Sequence, residues 1–524
     1  MSISIWRTLL LIIPTNNIPL AAVYGALVHT SGSPVIVTYV AFGLFFLSIW
    51  NAGVIDVGDS LPNEVWAGTM DAALVSRSSL LVIMLGHASG YISRAVIRGI
   101  PAFATVLLVG GTWPHVQNIP VLLVSLVVAF VAVLATTSLL SPFIVLVGTT
   151  GASFGGLLTF GVAFSGFLAP VQLLPLALQV PARLLPASWA MDAIWLTLNG
   201  APAGQIAARW GYALAEAIVF LGCTGLAYRS VEGRVRQRGG LSPALAPIGR
   251  WGAPGWFQRL PQAVSNFLLQ AVFNYRAVFA WVQWPSYVSN VVLRPAMQVV
   301  LFYMLGQSMR NAQAAQYTLV GMLAYNSPLM VAGAISLTLI SDRGMGTLPY
   351  FFASSGSRLM SYFSRGFIHI FNGLICSTIG LAMVALLERR YVANVNWLPA
   401  AIAIVLATLS SMMFALVLGD FVLVIREWSV VYTSSQALLL ALTGVVLPLA
   451  WLPSQIRWLA QILPTTHAVA GLRQAFSGAN LATAAPNLGI ELGVMVAYAV
   501  IGYALFRILE YYSRRTGGFD MANV

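Results

Sequence analysis

Long apolar runs determine the fold of this chain, because each is about the length that a helix needs to cross a hydrocarbon core of ~30 Å. Inside a bilayer every backbone N–H and C=O must find its partner within the protein, so such a run is expected to be helical. Only 8% of the residues are charged, whereas a soluble domain carries about 25%. We therefore expect an all-α polytopic membrane protein. Six runs lie in each half of the chain, near residues 8–28, 35–55, 86–110, 119–147, 153–174 and 208–228, and near residues 287–305, 318–340, 363–387, 397–425, 430–451 and 488–508.

The two halves are related by an internal duplication. One constant, ungapped offset in residue number carries Pro186 onto Pro464 and relates residues 64–240 to residues 342–518. We call it the repeat offset. A repeat of this length indicates that one structural unit occurs twice. We therefore expect two tandem, parallel six-helix transmembrane halves.

The duplication also divides the chain into segments. The first half is expected at residues 1–230 and the second at residues 286–524. Between them, residues 231–255 form a linker rich in Arg, Gly and Pro. Residues 256–285 mix aromatic and polar side chains, which predicts an interfacial helix at headgroup depth. The first half is expected to lack such a helix, so the two halves are not equivalent.

Arginine supplies all 26 basic residues, and lysine is absent. A Walker A loop, GxxxxGK[ST], requires a lysine, so this chain is not expected to be an ATPase. Arginines are more numerous in the loops that face inward when both termini are cytoplasmic, which predicts that orientation in a bacterial-type cytoplasmic membrane. The net charge of +12 is interpreted as membrane orientation, and no nucleic-acid partner is expected.

Prolines interrupt the fifth apolar run of each half. Proline frees backbone carbonyls that hydrocarbon cannot satisfy, so a broken helix at membrane depth must be covered by protein or line water. We expect short helices that re-enter the outer leaflet before the last span of each half. An extracellular loop with a surface helix is the alternative. These re-entrant helices contain Pro186 and Trp189 in the first half, and Pro464 and His467 in the second.

A second recurring motif follows the second span of each half. It reads LPNEVWAGTMDAALVSRSS at residues 61–79 and LISDRGMGTLPYFFASSGS at residues 339–357. In both copies an acidic residue, Glu64 or Asp342, stands four residues before a Gly-Thr pair. We interpret the motif as a short amphipathic helix that presents a carboxylate to a partner. A solvated loop that only joins two spans is the alternative.

These features together resemble the type-2 ABC export permeases, including the daunorubicin- and polyether-type drug exporters. The segment RAVFAWVQWPSYVSNVVLRPAMQVVLFYMLG at residues 276–306 is also similar to the beginning of their first span. In that family two six-span subunits contact two soluble ATPase subunits, and the loop after the second span is the coupling helix. The resemblance implies a fused pseudo-dimer that exports a hydrophobic or amphipathic small molecule, such as a drug, antibiotic or natural product.

The same resemblance assigns the cofactors and the coupling residues. The chain itself would hold no cofactor, and two copies of a nucleotide-binding subunit would bind ATP and Mg²⁺. Pro349 stands where the first half has Asp71, so the second coupling helix is expected to be shorter or kinked. The coupling residues are Glu64, Gly68, Thr69 and Asp71 in the first half, and Asp342, Gly346 and Thr347 in the second.

The sequence offers a few candidates for residues that line a substrate path. Arg94 and Arg98 lie four residues apart on one face of the third span, where they would either face a cavity and attract an anionic substrate or extend to the inner interface. Apolar side chains are candidates for a lipophilic path, with ordinary packing or lipid contact as the alternative. They are Phe42, Phe45, Met412 and Met413.

An ion-coupled secondary transporter with two six-span repeats is the alternative function. Such a carrier needs ionisable residues near the midplane. The candidates lie near predicted span ends or, for Asp192, in the broken segment. No His/Cys/Asp/Glu cluster has metal-ligand spacing, and no GxSxG or HExxH motif occurs, so neither a metal site nor catalysis is expected. The ionisable candidates are Asp192, Glu216, Asp420 and Glu491.

Overall fold

The computed structural model is mostly helical in the parts of the chain that it describes. No β-strand occurs among these residues, and nine of their helices are long and apolar enough to cross a membrane. The expectation of an all-α, multi-pass membrane protein is therefore confirmed. The described residues are 18, 20–29, 31–61, 64, 69, 80–114, 116–147, 155–238, 260–279, 284–308, 312–344, 358–421 and 428–516.

Among the described residues, eight helices lie before residue 239. A π-helical turn, Gly53–Val57, extends the second of them, and a 3₁₀ turn, Val171–Leu173, separates the fifth from the sixth. The helices are α1 (Leu20–His29), α2 (Pro34–Ala52), α3 (Leu80–Gly110), α4 (Ile119–Val147), α5 (Gly155–Phe164), α6 (Leu176–Ala182), α7 (Pro186–Leu198) and α8 (Ala203–Arg238).

In the described residues after the linker there are ten further helices. The first lies in the segment for which the sequence predicted an interfacial helix, and a 3₁₀ turn, Leu449–Trp451, comes before the last three. The helices are α9 (Gln262–Phe279), α10 (Trp284–Ser308), α11 (Ala312–Gly344), α12 (Arg358–Phe367), α13 (His369–Leu387), α14 (Trp397–Asp420), α15 (Trp428–Leu442), α16 (Ser454–Ile462), α17 (Thr466–Phe476) and α18 (Leu481–Thr516).

The repeat offset found in the sequence is also present in the secondary structure. It carries α8 onto α18 from the first residue to the last, and it carries the 3₁₀ turn Val171–Leu173 onto Leu449–Trp451. Helices α4 and α14 begin at equivalent residues, and so do α6 and α16. The repeated sequence therefore folds into repeated local structure.

The fifth apolar run of each repeat is broken. Among the described residues α5 has 10 residues and α15 has 15, and neither is one of the nine long apolar helices. A glycine with positive φ follows each helix, Gly166 at 78° and Gly444 at 74°. This backbone conformation favours glycine because it has no Cβ. Both runs thus turn away from the helix axis, as the prolines predicted. A count of twelve spans stays a prediction.

Two compact units are distinguished by their internal contacts. The first comprises Met1–Leu245 and Trp281–Ala315, and the second comprises Ala246–Ala280 and Gln316–Val524. Helix α10 therefore belongs to the first unit, where it packs against α5. Each unit is made of two separate stretches of the chain, whereas each segment predicted from the sequence is one continuous stretch. The predicted segment boundaries stay predictions.

A close backbone approach recurs in both units. A Cβ built on Gly43 of α2 would lie 1.5 Å from the carbonyl oxygen of Phe167, and a Cβ built on Gly321 of α11 would lie 1.9 Å from that of Val445. The repeat offset relates both glycines and both carbonyls. In each unit the second span of the repeat thus touches the backbone of the broken segment, and only glycine leaves room for the contact.

We expect Gly43→Ala and Gly321→Ala each to lower the thermal unfolding temperature of the detergent-purified protein. The added methyl meets backbone that cannot rotate away, and overpacking of this kind costs about 1–3 kcal/mol. Gly222→Ala is the matched control, because a Cβ there meets nothing within 4 Å. Equal unfolding temperatures for Gly43→Ala and Gly222→Ala would contradict the close approach.

Candidate functional site

Two described residues of the first copy of the recurring motif, Glu64 and Thr69, are hydrogen-bonded to each other. The backbone N–H of Thr69 donates to the carbonyl of Glu64 over 3.0 Å, and the Thr69 hydroxyl donates to the carboxylate of the same residue. The Glu64 carboxylate lies 3.8 Å from Nδ1 of His87 on α3, with 23% of the Glu64 side chain exposed. The fixed spacing of the motif thus lets its threonine orient its acidic side chain.

The remaining coupling residues cannot be placed in the same way. Of Asp342 the structure describes only the backbone, which is part of α11. The second copy of the motif therefore stays a prediction. Gly68, Asp71, Gly346 and Thr347 lie outside the described residues.

The two arginines of α3 have an acidic neighbour. Arg94 is exposed, with its guanidinium 4.8 Å from the centre of the Tyr91 ring, and Arg98 is partly buried. Both interact electrostatically with Asp56 in the π-helical turn that follows α2. The sequence did not point to this acidic partner, and contact with a substrate stays a prediction for both arginines.

The apolar candidates for a substrate path take part in packing. The ring of Phe42 lies 4.9 Å from that of Phe103, and Phe45 lies 5.3 Å from Phe46. Met412 is buried in a cluster that also contains Tyr362 of α12 and Phe506 of α18, and Met413 packs against that cluster. A role in conducting substrate is untested for all four.

The broken segment of the first repeat is held by a first polar cluster, made of Gln172, Arg183, Trp189, Asp192 and Glu216. The Asp192 side chain is 1% exposed and lies 2.6 Å from a guanidinium nitrogen of Arg183, and Gln172 donates to it over 2.8 Å. The indole of Trp189, in the first turn of α7, donates to Glu216 on α8 over 3.1 Å. Burial raises the pKa of Asp192, although Arg183 counteracts that effect. The cluster ties α7 to α8.

The second repeat uses a different arrangement, a second polar cluster made of Ser410, Thr465, His467, Ala468 and Glu491. One Glu491 oxygen accepts from the Thr465 N–H over 2.7 Å and from the Ser410 hydroxyl. The other accepts from the N–H groups of His467 and Ala468, both over 3.1 Å. Glu491 is 0% exposed. A carboxylate from α18 thus satisfies the free N–H groups at the beginning of α17, where the helix dipole favours negative charge.

The backbone at this point differs between the repeats. Thr465 has φ 76°, the only non-glycine residue with positive φ among the described residues. This conformation is rare for a β-branched residue, so the surrounding contacts must hold it. The equivalent helix in the first repeat begins at Pro186, whose missing N–H needs no partner. Pro464 lies two residues before the first residue of α17.

The polar residues of the second cluster have apolar equivalents in the first repeat. The repeat offset carries Ala132, Ala187 and Ala213 onto Ser410, Thr465 and Glu491. All three alanines are 0% exposed. A comparison of the two copies shows that these positions differ, but only the structure shows that the three polar residues meet.

A buried arginine adds to the difference. The Arg473 guanidinium donates to the carbonyls of Tyr317 and Val445, each over 3.1 Å, and lies 3.4 Å from the centre of the Tyr317 ring. Burial lowers the pKa of Arg473 to about 10, so it stays protonated at neutral pH. The equivalent pair in the first repeat is Trp195 against Tyr39, two rings 5.2 Å apart. A cation replaces an aromatic ring beside the broken segment.

Comparison with known proteins finds one similarity, in the C-terminal part of the chain. Residues 296–504 match the model of the ABC-2 family transporter protein family. No curated protein and no solved structure matches the chain. The match extends from α10 into α18 and includes the second polar cluster. This part of the chain is therefore similar to the membrane domain of ABC-2 family transporters.

We expect Glu491→Gln to destabilise the beginning of α17. An amide nitrogen at this position would face N–H donors, and a lost or unsatisfied buried hydrogen bond costs about 1–3 kcal/mol. Hydrogen exchange followed by mass spectrometry should show faster exchange at Thr465, His467 and Ala468. Glu388→Gln is the control, because Glu388 pairs with an exposed arginine at the end of α13. Unchanged exchange in Glu491→Gln would show that the carboxylate is not needed.

Proposed function

We propose that this chain is the permease subunit of an ATP-driven ABC exporter, with two six-span halves fused in one polypeptide. The match to the ABC-2 family over residues 296–504 is the observation that supports it most strongly. The repeat offset carries the matched region onto residues 18–226, where several described helices begin or end at equivalent residues. The first repeat would then be a second copy of the same membrane domain.

The energy source would be a separate protein. The chain contains no lysine, and a Walker A loop needs one to bind the phosphates of ATP. We therefore assign ATP and Mg²⁺ to two copies of a soluble nucleotide-binding subunit on the cytoplasmic face. With both chain termini on that face, the inward loops carry most of the arginines, in agreement with the positive-inside rule.

The recurring motif would connect the two proteins. In its first copy Glu64 is partly exposed and is oriented by Thr69, which suits a carboxylate that contacts a partner. ATP binding would move the motif and so change the arrangement of the attached spans. Transport follows only if substrate and nucleotide favour different arrangements, because a ligand shifts an equilibrium by its difference in affinity for the two states.

The cargo would be a hydrophobic or amphipathic small molecule. The broken segments supply polar backbone and side-chain groups beside apolar helices, which is the composition of small-molecule sites. The helices α6–α7 and α16–α17 would re-enter the outer leaflet next to the last span of each half. Leu176 and Trp458 expose 83% and 63% of their surface, which suits contact with lipid.

An ion-coupled secondary transporter is the second candidate, and one observation favours it. Asp420 is a buried carboxyl at the end of α14, and neither of its oxygens has a hydrogen-bond partner among the described residues. Such residues mark ion pathways in carriers.

Purification separates the two functions. We expect a tagged chain, taken from native membranes in mild detergent, to retain a soluble P-loop protein at about two copies per chain, with ATPase activity. Transport by the reconstituted sample should then require hydrolysable ATP. A chain that purifies alone and transports under an ion gradient without ATP would establish the carrier instead.

We expect Glu64→Arg to uncouple ATP hydrolysis from transport more strongly than Asp342→Arg. The second copy of the motif has Pro349 in place of Asp71, so its contact with the partner should be weaker. The measurement is the ratio of substrate transported to ATP hydrolysed in proteoliposomes that contain the complex. Glu388→Arg, outside both motifs, is the control. Equal losses in the two variants would remove the asymmetry.

A further inference from the structure

Buried carboxylates in the second unit have partners, with one exception among the residues that the structure describes. Glu491 accepts four hydrogen bonds, and Glu510 of α18 pairs with Arg358 of α12. Asp420 is 1% exposed, and neither of its oxygens accepts a hydrogen bond from any described residue. An ionised carboxylate in such a place loses its hydration and gains nothing in return.

The surroundings of Asp420 are apolar. It is the last residue of α14, and the helix turn before it packs in the cluster with Leu416 and Phe506. The ring of Tyr362 stacks on Phe506 at 5.8 Å, and its hydroxyl lies against Gly419. The end of α14 is therefore covered by α12 and α18 in the second unit.

Charged and titratable groups on the neighbouring helices are mostly engaged elsewhere. Glu491 binds Ser410, ten residues before Asp420 and thus about 15 Å away along the helix. Arg507 is exposed. Tyr362 is the nearest titratable side chain identified by these contacts. The described titratable and charged groups on the helices that pack against α14 are Tyr317 and Tyr325 on α11, Arg358 and Tyr362 on α12, His369 and Cys376 on α13, His467 and Arg473 on α17, and Glu491, Tyr498, Tyr503, Arg507, Glu510, Tyr511 and Tyr512 on α18.

We infer that Asp420 is a proton-binding site, which holds its carboxyl neutral in the folded protein. A proton needs no ligand besides the carboxylate itself. A metal ion would need several further oxygen or nitrogen ligands, and the described residues contain no group of three His, Cys, Asp or Glu side chains that could hold one. Of the possible occupants, a proton therefore fits this apolar site.

The site exists in one repeat only. The repeat offset places Pro142 of α4 at the position of Asp420, so the first repeat has no ionisable group there. Loss of the proton would leave a charge under α12 and α18 and favour separation of the end of α14 from them. Proton binding thus links pH to the packing of one repeat. This inference does not depend on the energy source of transport.

Chemical labelling of the full-length protein tests the proton directly. Dicyclohexylcarbodiimide is apolar and reacts with protonated carboxyls. The acid O–H adds across one C=N bond, and the product rearranges to a stable N-acylurea without a leaving group. Peptide mapping by mass spectrometry should find the label on Asp420 at about pH 6, several-fold less at about pH 9, and none in Asp420→Asn. Glu491 is the internal comparator and should stay unlabelled.

Thermal unfolding across the same pH range decides the matter independently of reagent access. In the unfolded chain Asp420 releases its proton at the pH of an ordinary aspartate, whereas in the folded protein it still holds the proton above that pH. Folding then requires uptake of a proton, so the free energy of unfolding of the wild type falls as pH rises. Asp420→Asn mimics the neutral acid and lacks this loss. The unfolding temperature of the variant should therefore exceed that of the wild type by an amount that grows with pH. Parallel curves would overturn the inference, whatever the labelling shows.

Discussion

The backbone groups freed where the fifth apolar runs break need hydrogen-bond partners within the protein, because an unpaired buried carbonyl is costly. In the first repeat the Tyr39 hydroxyl donates to the carbonyl of Gly166. In the second, Arg473 donates to the carbonyl of Val445. These side chains therefore stabilise the turns that precede the short helices. The glycines of α2 and α11 then allow the broken backbone to pack directly against the neighbouring span.

The same backbone course is supported by different chemistry in the two repeats. The first uses an Arg–Asp pair and an indole–carboxylate hydrogen bond, and the second uses a carboxylate at a helix N-terminus and a guanidinium over a ring. Breaking either arrangement would leave a buried charge without a partner, which costs more than the contact gains when it forms. Each cluster therefore has to change as a whole, and this explains how two copies with the same helices can differ so completely in their buried polar residues.

Much of the fold is predictable from the sequence because it depends on local properties. Apolar length gives the spans, the prolines give the breaks, and the repeat offset gives the equivalence of α8 and α18. The partners of Glu491 were not predicted, because Ser410 lies 81 residues away and no periodicity connects them. The sequence also did not predict that α10 belongs to the first unit, because α10 follows the linker and was placed with the second half. The partners of Glu491 and the unit to which α10 belongs are both determined by contacts between helices that are far apart in sequence.

Duplication within one chain explains why such differences can persist. In an assembly of two identical subunits, a buried charge such as Glu491 or Arg473 would occur twice, and its desolvation cost would be incurred at both positions. In a duplicated chain it occurs once, and the other copy can keep Ala213 and Trp195 at the equivalent positions. Asp420 likewise occurs in one copy only, because the repeat offset places Pro142 at the equivalent position of the first repeat. The chain can thus carry a charged group in one copy and retain an apolar one in the other.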